Sequence, residues 1–217
     1  MRRGLPRLRL HRAAAGGRLR RVHPIERESY RILRGMVDLS HFGPLGRAVA
    51  ERVIHASADP EYANTLVLDE RTLEVGLDVL RRDAPIVTDV HMVAAGITAR
   101  ETLCLVSDPG TRELSEEFGI TRSAAGFRLA AEQVGAGAVW VVGNAPTALF
   151  ELLETDSRPT LVIGLPVGFV GASESKDALL RSELPGVANR GPKGGSAVAA
   201  AALNALIYYE EEDAEDS

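Results

Sequence analysis

Three glycine-rich turns carry most of the chemistry-bearing residues of this 217-residue chain. Gly143-Asn144-Ala145-Pro146-Thr147 follows the apolar run Val139–Val142. Gly164 to Lys176, containing Gly168, follows Leu161–Ile163, and Asn189-Arg190-Gly191-Pro192-Lys193-Gly194-Gly195-Ser196 precedes an alanine-rich helical stretch. Glycine lets backbone approach a ligand closely, and the start of a helix offers unpaired N–H groups, so strand–turn–helix units make anion sites. Three of them in one domain predict a large, multiply anionic ligand. The chain has only two lysines, Lys176 and Lys193, and both fall in these turns. Solvated surfaces scatter their lysines, so this placement favours ligand contact. Arg122 and Ser123 open a further helical pattern after Thr121, and a guanidinium at a helix start is a good carboxylate receptor.

The residue suited to moving a proton is His55, at the end of a predicted helix and just before Ser57-Ala58-Asp59-Pro60. Taken alone it has two readings: an acid or base near neutral pH, or a histidine favoured by the negative end of a helix dipole. The second is the commoner. His11, His23, His41 and His91 show no paired spacing of the kind a zinc site needs, so no metal centre is predicted. Gly191 to Ser196 lacks the phosphate-loop spacing. Gly164, Gly168 and Gly171 lack the dinucleotide spacing, and Pro166 removes one N–H donor.

The elements that must position these residues are legible from periodicity. Helices are expected from Pro24 to about Met36, Pro44 to His55, and Asp69 to Arg82 with Asp69 as cap, all before any strand. Apolar runs at Pro85–Thr88, Thr102–Val106, Ala138–Val142, Thr160–Leu165 and Val187–Ala188 then alternate with helical stretches near Met92, Arg122–Val134, Pro146–Leu153, Lys176–Ser182 and Gly195–Tyr208. That alternation predicts parallel βαβ units in a flavodoxin-like three-layer α/β/α sandwich, with a five-stranded parallel sheet and additional N-terminal helices. Ligands bind such sheets at the carboxyl ends of the strands, where the glycine turns lie. Cys104, the only cysteine, is expected as a small buried thiol in a strand.

Composition sets the limits. Residues 1–22 hold eight arginines and no acid, against a net charge of −5 for the whole chain, so the body is strongly acidic and unsuited to wrapping nucleic acid. This arm is expected to be a disordered extension, residues 23–209 a single domain, and 210–217 a disordered acidic tail. No apolar run reaches the roughly 20 residues of a membrane helix, and a cytoplasmic protein is expected.

Taken together, PIERESY (Pro24–Tyr30), RVIHA (Arg52–Ala56), TRSAA (Thr121–Ala125), GNAPTALFELL (Gly143–Leu153), PVGFVGASESK (Pro166–Lys176) and GGSAVAAAALNAL (Gly194–Leu206) closely resemble the precorrin-8X methylmutase family of cobalamin biosynthesis. The resemblance covers about residues 23 to 208. It implies an isomerase without metal or organic cofactor, moving a methyl group from C11 to C12 of a corrin-like macrocycle, precorrin-8X or cobalt-precorrin-8, to give hydrogenobyrinate or cobyrinate. It implies a homodimer with active sites near its interface, to which Met92 and the alanine-rich final helix are expected to lend apolar surface. It also implies that His55 is the catalytic residue, and that Ser29 and Arg122 lie near substrate. The expected substrate-binding set is Ser29, Arg122, Ser123, Asn144, Gly168, Lys176, Arg190, Lys193, Gly194 and Gly195. Two positions depart from the family: Pro192 stands where a basic residue is common, and Ala95 where some relatives have histidine.

The chemistry agrees with that reading. A methyl shift within a conjugated ring needs no nucleophile or redox centre, and protonating the ring redistributes its π charge. Histidine is suited to donate that proton near neutral pH, and general acid catalysis supplies about 10² to 10⁴-fold. Two other readings are open: a carrier that binds the tetrapyrrole without chemistry, and a nucleotide-binding module of the same fold, which the poor phosphate motifs disfavour.

Overall fold

A computed structural model describes residues 24–210; the arginine-rich arm, and the acidic tail from residue 211, lie outside them. Pro24 and Pro44 each stand in the first turn of a helix, where a missing N–H costs nothing. They open α1 (Pro24–Met36) and α2 (Pro44–Ser57). A short turn of helix, α3 (Tyr62–Thr65), leads into β1 (Leu66–Val67). Asp69 then caps α4 (Glu70–Arg81) by accepting the Thr72 N–H, and Leu73, Leu77 and Leu80 face the core as their spacing predicts.

The rest alternates strand and helix. β2 (Ile86–Thr88) is followed by α5 (His91–Gly96), α6 (Pro109–Phe118) and α7 (Arg122–Val134). Then come β3 (Val139–Val142), α8 (Pro146–Glu154), β4 (Leu161–Gly164), α9 (Ala172–Arg181), β5 (Gly186–Asn189) and α10 (Ser196–Ile207). The sheet order is β1-β5-β4-β3-β2, with β2 to β5 parallel and β1 antiparallel to β5.

Helices cover both faces. Val139, Val141, Leu161 and Ile163 point into one core with α2, α4 and α10, while Trp140, Val142 and Val162 point into another with α7, α8 and α9. Alternate residues of a strand face opposite sides, so an unbroken apolar run is what two covered faces require. Phe127 meets Trp140 edge-on, with ring centroids 4.8 Å apart.

Several of the expectations need correction. Thr102–Val106 is not a strand: only Leu103 makes a bridge, to Val87, and the run then bends toward the Asp108 cap of α6. Cys104 accordingly sits half-buried in a loop, not inside a strand. The fifth strand is instead β1, whose two residues stand between helical signals, so the sheet is not all-parallel and not every early helix precedes it. α9 starts four residues before the expected Lys176. Finally, α10 offers little surface to a partner. Val198 to Leu203, Ala205 and Leu206 are buried, as an element apolar on every side must be.

Candidate active site

The three glycine turns form one continuous rim at the carboxyl edge of the sheet. The Gly195 N–H donates to Leu165 O and the Gly168 N–H to Pro192 O, which locks the second turn to the third. Gly194 lies so close to that neighbour that a Cβ there would come within 2.5 Å of Pro166 O. The first turn meets the third at Gly143, where a Cβ would stand 2.8 Å from Ser196 Cα. The Thr121 and Thr147 hydroxyls are 2.7 Å apart, which brings the start of α7, with Arg122 and Ser123, to the start of α8.

Much of this backbone is already engaged. The N–H groups of Gly143, Asn144 and Ala145 donate to the Asp89 carboxylate at 3.2, 2.8 and 2.7 Å. The first turn therefore offers its side chains, not these N–H groups, to a ligand. Lys176 reaches the third turn from inside. Wholly buried, its Nζ donates to Asn189 Oδ1 at 3.0 Å and to Lys193 O, while Asn189 Nδ2 donates to Arg190 O and Lys193 O. Burial pulls this ammonium down to about 8, because no carboxylate bonds to it to offset the lost hydration.

Lys193 points the other way. Its Nζ is 2.6 Å from both Asp59 and Glu61, which hold it protonated well above the usual lysine range. Asp59 lies four residues past His55, so this clamp ties the end of α2 to the rim. Arg122, Arg190 and the Asn144 side chain are exposed there, and among the described residues neither arginine has an ion-pair partner.

His55 itself is half-buried where α1 and α2 pack. Ser29 Oγ lies 2.9 Å from its Nδ1, and the Tyr30 ring stacks on the imidazole at 4.9 Å between centroids with an 18° tilt. Arg52, one turn earlier, donates to Tyr30 Oη at 3.2 Å and to Glu26 Oε1 at 3.1 Å. Burial pushes the Tyr30 phenol up, so it stays a neutral hydroxyl throughout the physiological range. With Nδ1 occupied, Nε2 is the ring nitrogen left to face a ligand. In the imidazolium form both nitrogens carry a proton, and the one on Nε2 is the proton not engaged with Ser29.

Ser29, His55 and Arg122 were legible as motif residues. Asp89, Tyr30 and Arg52 were not singled out, although an acid directly after the apolar run Ile86-Val87-Thr88 is an anomaly a sequence can show. Elsewhere His91 Nε2 lies 3.0 Å from Ser107 Oγ, and the His41 ring meets that of Phe42 at a 42° tilt. Among the described residues no three histidines, cysteines or acids gather as a metal site.

Known proteins resemble this chain in sequence and fold. The sequence model of the precorrin-8X methylmutase family matches residues 24–209. A cobalt-precorrin-8 methylmutase from Methanothermobacter thermautotrophicus is 46% identical, over 85% of this chain and 92% of that protein. A precorrin-8X methylmutase from Sinorhizobium sp is 41% identical, over 87% and 95%. The solved precorrin-8X methyl mutase of Thermus thermophilus superimposes with a TM-score of 0.77 at 36% identity, covering 88% of this chain and 96% of that one.

Proposed function

Because this chain belongs to the precorrin-8X methylmutase family, and so is an isomerase of cobalamin biosynthesis that catalyses a methyl migration, we propose that His55 is the general acid of that reaction, acting through Nε2. The observation that carries this is the Ser29–His55 hydrogen bond of 2.9 Å beneath a stacked Tyr30 ring. Together they fix the imidazole plane and engage Nδ1. The substrate is precorrin-8X or its cobalt form, with any cobalt held by the macrocycle as part of the substrate.

The steps assigned to the protein are few. Arg122, Arg190 and Asn144 hold the substrate carboxylates, and Ser123 supports the start of α7. Lys193 adds positive charge at the rim while clamped by Asp59 and Glu61. Gly168, Gly194 and Gly195 let the turns close against one another, and Lys176 fixes the third turn from below. His55, as the imidazolium, donates its Nε2 proton to the conjugated ring and becomes neutral imidazole, and the protonated ring's redistributed π charge lowers the barrier to methyl migration from C11 to C12. The proton returns to Nε2 when the rearranged ring is neutralised, so no net acid is consumed. Holding the ring in one orientation supplies further acceleration.

We read the layout as flavodoxin-like. Counting the Leu103 bridge beside β2 as a vestigial edge gives the doubly wound order 2-1-3-4-5, with the switch point between β2 and β3. A homodimer is supported by the exposed apolar side chains Met92, Phe169 and Val170, and sedimentation equilibrium tests it. The biosynthetic role supports a cytoplasmic location.

The test follows the absorption spectrum of precorrin-8X, with and without cobalt, on mixing with the protein. Conversion to the hydrogenobyrinate-type or cobyrinate-type spectrum is the expected result. A spectral shift on binding, with no conversion of either form, would make the protein a carrier.

A further inference from the structure

We propose that Asp89 is a positioning residue for substrate binding, an internal anion that holds the first turn in shape by filling the cradle its N–H groups make. This rests on the methylmutase reading above and adds a residue to it. Asp89 follows β2 at the carboxyl edge of the sheet, and is 1% exposed. Oδ1 accepts from Gly143, and Oδ2 from both Asn144 and Ala145. Its own N–H donates to Val141 O, which pins it to β3. Three successive N–H groups converging on one point form an anion-binding concavity. Here the protein fills it with its own carboxylate.

The consequence reaches the ligand through two neighbours. Asn144 projects its exposed side chain from this turn. Pro146 begins α8 directly after it, and Thr147 bonds to Thr121, beside Arg122. Gly143 leaves no slack, since it rests against Ser196, Val93 and Ala199. If the cradle loosens, Asn144 and the α8 end that supports Arg122 both shift, while the Ser29–His55 pair, on α1 and α2, stays in place. Loss of Asp89 should therefore weaken binding and spare the chemical step.

Burial pushes the Asp89 carboxyl up while the three N–H groups pull it down. The bonding geometry is that of the ionised form, since both oxygens act only as acceptors.

The test compares Asp89→Asn and Asp89→Ala with wild type, scoring KM and kcat per folded molecule beside the thermal midpoint. Asparagine can keep the two bonds to Asn144 and Ala145 through Oδ1 but sets an NH2 against the Gly143 N–H. KM should rise about tenfold, the scale of one lost charge-assisted bond, with kcat within about twofold. Alanine should raise KM further, and formate, which fits the vacated space, should restore much of it while chloride does less. Should Asp89→Ala fail to fold, Asp89→Asn decides alone. A lowered thermal midpoint with KM unmoved would make Asp89 a fold residue only and overturn the proposal. A fall in kcat at constant KM would overturn it too, by placing Asp89 in the chemistry. The methylmutase reading fails separately, and only if wild type itself does not convert precorrin-8X.

Discussion

At the residue scale, the proposed chemistry turns on how one imidazole is held. A histidine at a helix end is ordinary, and the dipole at the end of α2 suffices to explain its presence. Ser29 and Tyr30 set His55 apart, because a ring bonded at Nδ1 and stacked on one side has a single orientation and a single nitrogen to offer. An aromatic contact of this kind is worth about 0.5–1.5 kcal/mol beyond its area. Tyr30→Ala should therefore lower kcat by about 2- to 10-fold, whereas Tyr30→Phe, which keeps the ring and loses only the Arg52 bond, should stay close to wild type. Steady-state kcat of the two variants checks this, and equal losses from both would move the credit from stacking to the Arg52–Glu26 chain.

At the element scale, the rim depends on close backbone approach. Gly194 is the tightest point, since any side chain would press on main-chain atoms at Leu165 and Pro166, which cannot rotate aside. Gly194→Ala should cost about 1–3 kcal/mol, the usual range for overpacking. Urea unfolding would measure it, and an unchanged midpoint would show that the two turns separate readily.

Elements differ in how much of their signal is local. Helices with a proline at the start or a capping side chain, such as α1, α2, α4 and α7, were visible to within two residues because their signals are local. The four parallel strands were visible as continuous apolar runs. β1 was hidden because its two residues stand between helical signals, outside the strand–turn–helix alternation that marked the others. Thr102–Val106 looked like a strand because apolar composition does not reveal whether a neighbour exists to pair with. Within the proposed site, Ser29, His55 and Arg122 stand in recognisable motifs, and the contact between Ser29 and His55 joins two of them. The roles of Asp89, Tyr30 and Lys176 depend on contacts between distant segments, which composition and spacing leave open.

At the scale of the whole molecule, the proposed function asks a protein with a net charge of −5 to bind a polyanion, and the exposed Arg122 and Arg190 at the rim are the proposed receptors. Lys176 is a different case: an ammonium buried beneath the rim without a carboxylate bonded to it, a costly arrangement that serves to stiffen the third turn. Folding lowers its proton affinity from the ordinary 10.5 to about 8. Between those values the unfolded chain binds more protons, so the contribution of this group to stability rises with pH across that window and is flat below it. The difference in urea midpoint between wild type and Lys176→Met should thus shift in favour of wild type from pH 7 to pH 10. A difference constant with pH would mean that the folded protein holds Lys176 with an unperturbed affinity.

The central claim is that His55 supplies the proton, while residues of the rim hold the ring. Mixing the His55→Ala variant with precorrin-8X in a stopped-flow spectrophotometer tests it most directly, because binding and conversion appear as separate spectral changes. The account predicts a binding shift of nearly normal amplitude followed by no conversion, or by one slowed about 10² to 10⁴-fold. Conversion at the wild-type rate would contradict it.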